Sequence, residues 1–204
     1  MGVYKLSTAG GLATPRTNYS SFLAGNPKFV AGSYESIATV SVGSGGAASI
    51  SFTSIPSTYT HLQIRQISRT ARSGVDVTYL KMNFNGATGT AYSYHALIGN
   101  GSTTSTDATT NDGSIPLLRS TGGNAISNNF APMVIDIFDY ANINKFKTTR
   151  TLGGAELNQA SSEIVFQSGL WRSTDAITSI AFTDATNANF LQYSSFALYG
   201  IKGA

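Results

Sequence analysis

The chain has 204 residues with no cysteine, 41% hydrophobic and only 11% charged residues, and a formal net charge of +3. The lack of cysteine excludes disulfides and thiolate metal sites, and the scarcity of charged straight-chain residues disfavours long helices. An aromatic content of 11% argues against global disorder. Because no run approaches the ~18 apolar residues of a membrane span, we expect a soluble protein, made in a cytoplasm, without a membrane partner.

Residues 1–33 are predicted to form an extended, irregular N-terminal arm. Glycine and proline interrupt every helical or strand pattern there, yet large apolar side chains recur along it, unlike in a flexible linker. These side chains are buried either against the chain's own domain or against a neighbouring subunit, and we favour the neighbour. The side chains predicted to bind a protein partner are Arg16, Tyr19, Phe22, Leu23, Lys28 and Phe29.

The charge is unevenly distributed along the chain. Residues 1–72 carry six basic side chains and one acidic side chain, whereas residues 73–204 carry seven basic and nine acidic ones. The first part could therefore face an acidic surface, although solvated surface charge accounts for the same pattern.

From residue 34 the hydrophobic pattern takes a period of two, which is typical of β-strands. About nine or ten short strands separated by glycine and asparagine turns are predicted, which indicates an all-β sandwich or barrel. The Gly43–Gly46 loop predicts a hairpin, and Asn85-Gly86 predicts a tight turn. Residues 99–129 are predicted to be a polar loop, and the apolar run 130–138 a central strand covered on both faces.

No arrangement typical of a catalytic site stands out in the sequence. His61 and His95 are interpreted as surface or interface side chains. Asp136 and Asp139 form the best local carboxylate pair, but both flank a strand end, where carboxylates commonly cap turns. Since no nucleophile elbow, zinc motif or phosphate loop occurs, we expect no enzymatic activity, no catalytic residue and no cofactor.

Three further kinds of site were weighed for the part of the chain after the arm. Asp107, Asn111 and Asp112 could offer oxygen ligands to Ca²⁺, but their spacing matches no EF-hand loop, so no metal site is predicted. Three arginines lie close together without interleaved aromatic residues, so we expect no nucleic-acid partner; they are Arg65, Arg69 and Arg72. Trp171, or the pair Tyr92 and Tyr94, could stack on a sugar or pack in a core or interface.

Five stretches of the chain resemble virion structural proteins of tailed bacteriophages, over about residues 34–204. They are 34–43 (YESIATVSVG), 50–65 (ISFTSIPSTYTHLQIR), 134–142 (VIDIFDYAN), 168–180 (SGLWRSTDAITSI) and 193–202 (YSSFALYGIK). The resemblance implies a jelly-roll-like antiparallel β-sandwich, assembly as a homo-oligomer with a trimer favoured, and a place in the virion.

The expected function is that of a non-enzymatic capsid decoration or cement protein. Residues 1–33 would anchor the subunit and residues 34–204 would form the β-sandwich domain, with the major capsid protein or other virion proteins as partners. The alternative is a tail, neck or fibre component whose sandwich binds a receptor or carbohydrate. A third class is a carbohydrate-binding or carbohydrate-degrading module on the virion.

Overall fold

Twelve β-strands form the regular structure of residues 33–159 and 161–202, which are the residues described by the computed structural model. No helix occurs in these ranges, so the all-β prediction is confirmed. The strands are β1 (Tyr34–Ser41), β2 (Ile50–Phe52), β3 (His61–Ser68), β4 (Val77–Phe84), β5 (Tyr92–Gly99), β6 (Thr104–Asp112), β7 (Ile115–Thr121), β8 (Ala131–Phe138), β9 (Lys147–Ala155), β10 (Glu163–Trp171), β11 (Ile180–Asp184) and β12 (Ser195–Ile201).

The strands form two antiparallel sheets that pack face to face. The larger sheet has the order β1-β12-β3-β8-β9-β10-β5-β6, and the smaller has the order β2-β11-β4-β7. Eight of the strands alternate between the sheets as in a jelly roll, giving β1-β12-β3-β8 opposite β2-β11-β4-β7. The other four, β9, β10, β5 and β6, extend the larger sheet beyond β8. The predicted jelly-roll-like sandwich is therefore confirmed.

The core lies between the sheets because every second side chain of each strand points inward. In β4 the inward positions are buried and the outward positions are half-buried. Leu62 and Ile64 of β3 and Leu80 and Met82 of β4 belong to this core cluster, and all four are 0% exposed. Burying such a side chain contributes about 1.5–3 kcal/mol, so the alternation is the main source of stability.

The two turn predictions have different outcomes. The Gly43–Gly46 loop joins β1 to β2, yet these strands lie in different sheets, so the predicted hairpin is wrong. Asn85 and Gly86 adopt positive φ values of 51° and 70°, as the turn prediction requires. That turn also leads from the smaller sheet to the larger one, because a jelly roll alternates sheets along the chain.

Two predictions about the middle of the chain are corrected by the structure. Residues 99–129 contain β6 and β7 rather than one long loop. The pattern concealed β6 because its side chains are polar and largely exposed, and because among the described strands it pairs with β5 alone. Strand β8 is not covered on both faces, since its positions alternate between buried and more exposed and Val134 is 38% exposed.

Across the residues that the structure describes, there is no helix long and apolar enough to cross a membrane.

Candidate docking surface

The larger sheet carries an apolar row on its outer face, which points away from the smaller sheet. Leu97 of β5 pairs with Phe166 of β10, Phe166 pairs with Leu152 of β9, and Leu152 pairs with Val134 of β8. These side chains are 51%, 48%, 53% and 38% exposed, respectively. Directly opposed residues on neighbouring strands have Cβ atoms about 5 Å apart, so the four side chains form one continuous strip.

Two isoleucines widen the row into what we call the apolar patch: Leu97, Phe166, Leu152, Val134, Ile164 and Ile67. Ile164 and Ile67 lie one outward position further along β10 and β3, and they are 60% and 52% exposed. Ile164 pairs with Gly99 on one side and with Gly154 on the other. Because these glycines have no side chain, a groove of about 420 Å³ opens beside Ile164.

A polar network borders the apolar row on the side away from Ile164. Arg150 donates to the Asp136 carboxylate at 3.0 Å, and Gln63 donates to its other oxygen at 2.8 Å. Tyr34 donates to the Gln63 side-chain oxygen at 2.7 Å. Next to this network, the Arg65 guanidinium lies 5.5 Å from the centre of the Tyr34 ring. Because these groups pair with one another, the apolar row next to them presents no unpaired charge.

Aromatic or large apolar groups exposed over several neighbouring strands typically mark a protein interaction site. The six members of the apolar patch come from four adjacent strands of the larger sheet and from β3 next to β8. They spread over one face of the sheet, with grooves of about 420 Å³ beside Ile164 and about 630 Å³ beside Leu97 and Phe166. A broad apolar face of this kind suits contact with another protein.

The predicted partner-binding side chains of the N-terminal arm, residues 16–29, lie outside the described residues. The role predicted for them therefore stays a prediction.

The three aromatic residues considered for sugar stacking are buried, so that interpretation is wrong for all of them. Trp171, Tyr92 and Tyr94 are 3%, 0% and 8% exposed. The Trp171 and Tyr92 rings stack with their centres 6.2 Å apart, and the Phe84 ring lies 5.6 Å from Trp171. Strand β10 ends with Trp171 on the inward side, so its ring fills the core instead of facing solvent.

The three clustered arginines are separated by the fold. Arg65 is exposed on the outer face, whereas Arg69 is 8% exposed and donates to four backbone carbonyls. Arg72 donates to the Thr78 hydroxyl at 3.0 Å. Spacings of three and four residues would align them on a helix, but the chain here is a strand followed by a turn, so they do not form one basic surface.

The carboxylates of Asp136 and Asp139 serve different local contacts. Asp136 pairs with Arg150, while Asp139 pairs with Lys145 at 2.7 Å. The hydrogen bond from Lys145 lowers the pKa of the Asp139 carboxyl, which keeps it ionised and unsuited to act as a general acid. His61 accepts a hydrogen bond from the Asp139 backbone N–H at 3.0 Å, which ties β3 to the turn after β8.

The oxygen groups considered for Ca²⁺ lie along the edge strand β6. Asn111 accepts from Arg172 at 2.9 Å, and Asp112 accepts from the Ser114 backbone at 3.1 Å. Burial raises the pKa of Tyr94 to about 12, and the nearby charge of Asp107 adds to this effect. Within the described ranges, no three His, Cys, Asp or Glu side chains gather closely enough to hold a metal ion.

The apolar patch was missed in the sequence although a signal for it exists. Residues 164–166 and 134–135 are apolar at consecutive positions, so both faces of β10 and β8 carry large side chains. The run 130–138 was interpreted as a central strand covered on both faces. The same pattern also arises when one face is covered by a partner.

No protein-family model and no curated protein matches the chain.

Proposed function

We propose that the chain is a non-enzymatic virion structural protein, and specifically a decoration protein that docks on the head shell of a tailed bacteriophage. The proposal combines the resemblance of residues 34–204 to virion proteins with the jelly-roll order of the strands, an architecture used by viral capsid domains. The single observation that supports a docking role most directly is the apolar patch on the larger sheet.

The patch is well suited to contact with a shell subunit. Its six side chains are between 38% and 60% exposed, so covering them contributes roughly 1 kcal/mol each. The neighbouring Arg150–Asp136 pair is already satisfied, so a partner can cover the patch without leaving a buried charge unpaired. The major capsid protein would present a complementary apolar strip to this face.

One patch of this size is insufficient for stable attachment by itself. A total of about 6 kcal/mol lies near the low end of the ~4–15 kcal/mol lost when two proteins associate. Stable occupancy therefore requires a second attachment, through the N-terminal arm or through assembly of several copies as a trimer, so that later contacts become intramolecular.

The decisive measurement is the number of copies per purified virion, obtained by quantitative mass spectrometry against the major capsid protein. A decoration protein is present in hundreds of copies per particle. A copy number of a dozen or fewer would overturn the decoration role and favour the alternative, a tail, neck or fibre component.

A competition experiment tests the docking surface itself. Particles lacking the protein are incubated with the wild-type chain or with a Phe166→Ser/Leu152→Ser variant, and bound protein is measured after sedimentation. We expect the variant to lose at least tenfold in occupancy, whereas the control Ser168→Ala, on the same face of β10, binds like the wild type. Full occupancy by the double variant would exclude the apolar patch as the contact.

Deletion of residues 2–30 tests the arm separately. If the arm provides the second attachment, the truncated chain binds particles at reduced occupancy although its sandwich is intact. A truncated chain that still joined particles at full occupancy would remove the arm from the proposal.

A further inference from the structure

Three chain connections enclose a second groove at one end of the sandwich. They are the β1–β2 connection at residues 44–46, the β7–β8 connection at residues 127–130 and the β11–β12 connection at residues 189–193. The groove has a volume of about 480 Å³, within the ~300–1,000 Å³ range of small-molecule sites. The groove lies near the C-terminal end of β1, because the Tyr193 N–H donates a hydrogen bond to the carbonyl of Val42, the residue that follows β1.

Tyr193 lines this groove, and its side chain is largely exposed to solvent. Its side chain is 74% exposed, the highest exposure among the large apolar and aromatic side chains that the structure describes. Its backbone φ is 73°, in the left-handed region that bulky residues rarely adopt. The Tyr193 N–H donates to the Val42 carbonyl at 3.0 Å and the Ser194 N–H donates to Leu191 at 3.1 Å, so this uncommon conformation is held by hydrogen bonds. Uncommon backbone conformations of this kind concentrate at ligand-binding sites.

Three exposed amide side chains line the same groove as Tyr193. Asn128, Asn189 and Gln192 all line the groove, and none of their side-chain amides hydrogen-bonds to another residue in the described part of the chain. Each amide offers both donors and an acceptor. These groups are therefore free to bond a ligand that carries hydroxyl groups, which likewise both donate and accept.

The wall formed by residues 127–130 is held rigidly by Arg69. The Arg69 guanidinium donates to the carbonyls of Ile126 at 2.6 Å and Ala125 at 2.7 Å, and more weakly to those of Gly123 and Asn129. These bonds preorganise the loop beside the groove, which lowers the entropic cost of binding. They also occupy the arginine, which is the one charged side chain among the described residues that line the groove.

From this combination we propose that the groove binds an uncharged pyranose unit of a glycan. The exposed Tyr193 ring would stack on the C–H face of the sugar, while Asn128, Asn189 and Gln192 bond its hydroxyl groups. A carboxylated or phosphorylated sugar is not the expected ligand because the Arg69 guanidinium is already committed to backbone carbonyls. The inference goes beyond the proposed docking role, and it concerns a different surface of the sandwich.

Saturation-transfer NMR on the full chain tests the proposal with defined probes. These are the methyl pyranosides of glucose, galactose and mannose, with glucuronic acid as the charged comparison. We expect transfer to at least one neutral pyranoside and weaker transfer to glucuronic acid. Absence of transfer to all three neutral sugars, or preference for glucuronic acid, would overturn the proposal.

Matched variants then locate the site. Tyr193→Asn removes the ring while keeping a residue that tolerates positive φ, and we expect its Kd for the bound sugar to rise at least tenfold. Tyr193→Phe keeps the ring and should bind within about threefold of the wild type. Asn189→Ala should weaken binding, whereas Asn144→Ala, an exposed asparagine at the other end of the sandwich, should not. Unchanged affinity in Tyr193→Asn would refute the site.

The docking proposal and the glycan proposal can fail separately. The Phe166→Ser/Leu152→Ser variant should retain sugar binding, and Tyr193→Asn should retain binding to particles. A variant that lost both properties would have to be checked for folding by its thermal unfolding before either conclusion is drawn, and the Asn144→Ala control sets the reference.

Discussion

Leu97 of β5 lies directly opposite Phe166 of β10 on the outer face of the larger sheet, and both side chains are about half exposed. The pair differs from the aromatic pairs of the core, such as Phe182 and Phe196, whose ring centres are 5.1 Å apart and whose side chains are fully buried. Truncating a phenylalanine to alanine should therefore lower the free energy of unfolding much less in the exposed pair than in the buried pair.

Phe166→Ala should cost about 1 kcal/mol or less, because a half-exposed ring loses little burial. Phe182→Ala should cost about 3–5 kcal/mol, since it leaves a cavity between the sheets. Urea unfolding of both variants beside the wild type measures the difference. Equal losses would mean that the ring of Phe166 is buried in the isolated chain, which would contradict its role as a free contact surface.

Asp184 should make the stability of the sandwich sensitive to acid. Burial would by itself raise the pKa of its carboxyl, but hydrogen bonds from Thr186 and Thr78 and from the Ala188 N–H outweigh burial and lower the pKa below 3.8. The folded state therefore favours the charged form. This stabilisation is present above pH 4 and is lost as the pH falls through the folded-state pKa.

Asp184→Asn tests this contribution. The amide keeps the shape of the carboxylate but replaces one acceptor oxygen by an NH2 donor. In the wild type the Thr78 hydroxyl donates to the carboxylate at 2.7 Å, and an NH2 group in that place cannot accept this bond. We therefore expect the free energy of unfolding to fall by about 1–3 kcal/mol near neutral pH. The difference in the free energy of unfolding between variant and wild type should narrow as the pH falls below 4. Urea unfolding at several pH values measures it, and a gap that is independent of pH would contradict the assignment.

Trp171 should report the integrity of the core. It is the single tryptophan of the chain and is 3% exposed between the Tyr92 and Phe84 rings. Native protein should therefore show blue-shifted emission that acrylamide quenches poorly, with a red shift on unfolding. Trp171→Ala should cost about 3–5 kcal/mol. Emission typical of a solvated indole in the native protein would contradict the placement of this side chain.

Arg119 of β7 and Glu163 of β10 tie the two sheets together by an ion pair at 2.6 Å. Arg119 is 1% exposed and Glu163 is 24% exposed, so Glu163→Gln should cost about 2 kcal/mol, less than the ~3–5 kcal/mol for fully buried pairs. The exposed pair of Lys145 with Asp139 is the comparison, and Lys145→Gln should cost under about 1 kcal/mol. Thermal unfolding at low and high salt measures both, and only the Lys145 effect should shrink with salt.

Local patterns in the sequence predicted the strands well. From residue 34 onward the period of two predicted about nine or ten short strands, and the described residues form twelve. Alternation is a property of neighbouring residues, since successive side chains of a strand point to opposite faces. The turn at Asn85-Gly86 was predicted for the same reason, because positive φ depends on the residues at the turn itself.

The pairing between strands that are distant in the sequence could not be predicted from such local patterns. Strand β1 pairs with β12 and not with β2, and nothing near Gly43–Gly46 distinguishes a hairpin from a crossing between sheets. The buried environment of Trp171 likewise depends on Phe84, which is far away in the sequence. An arginine is ordinarily expected on the surface. Arg69 is buried because its guanidinium donates hydrogen bonds to carbonyls within residues 123–129.

Composition and periodicity alone were sufficient to predict an all-β sandwich or barrel, because backbone alternation and turn chemistry act over a few residues. The jelly-roll-like sandwich was implied by the resemblance to virion proteins. The positions of the apolar patch and of the groove at Tyr193 emerged only from the tertiary structure. Both require residues from three or more separate parts of the chain to meet, and the register between those parts depends on how the whole core packs. Only 11% of the residues in the sequence are charged. The tertiary structure shows that uncharged apolar side chains lie together on one outer face of the larger sheet.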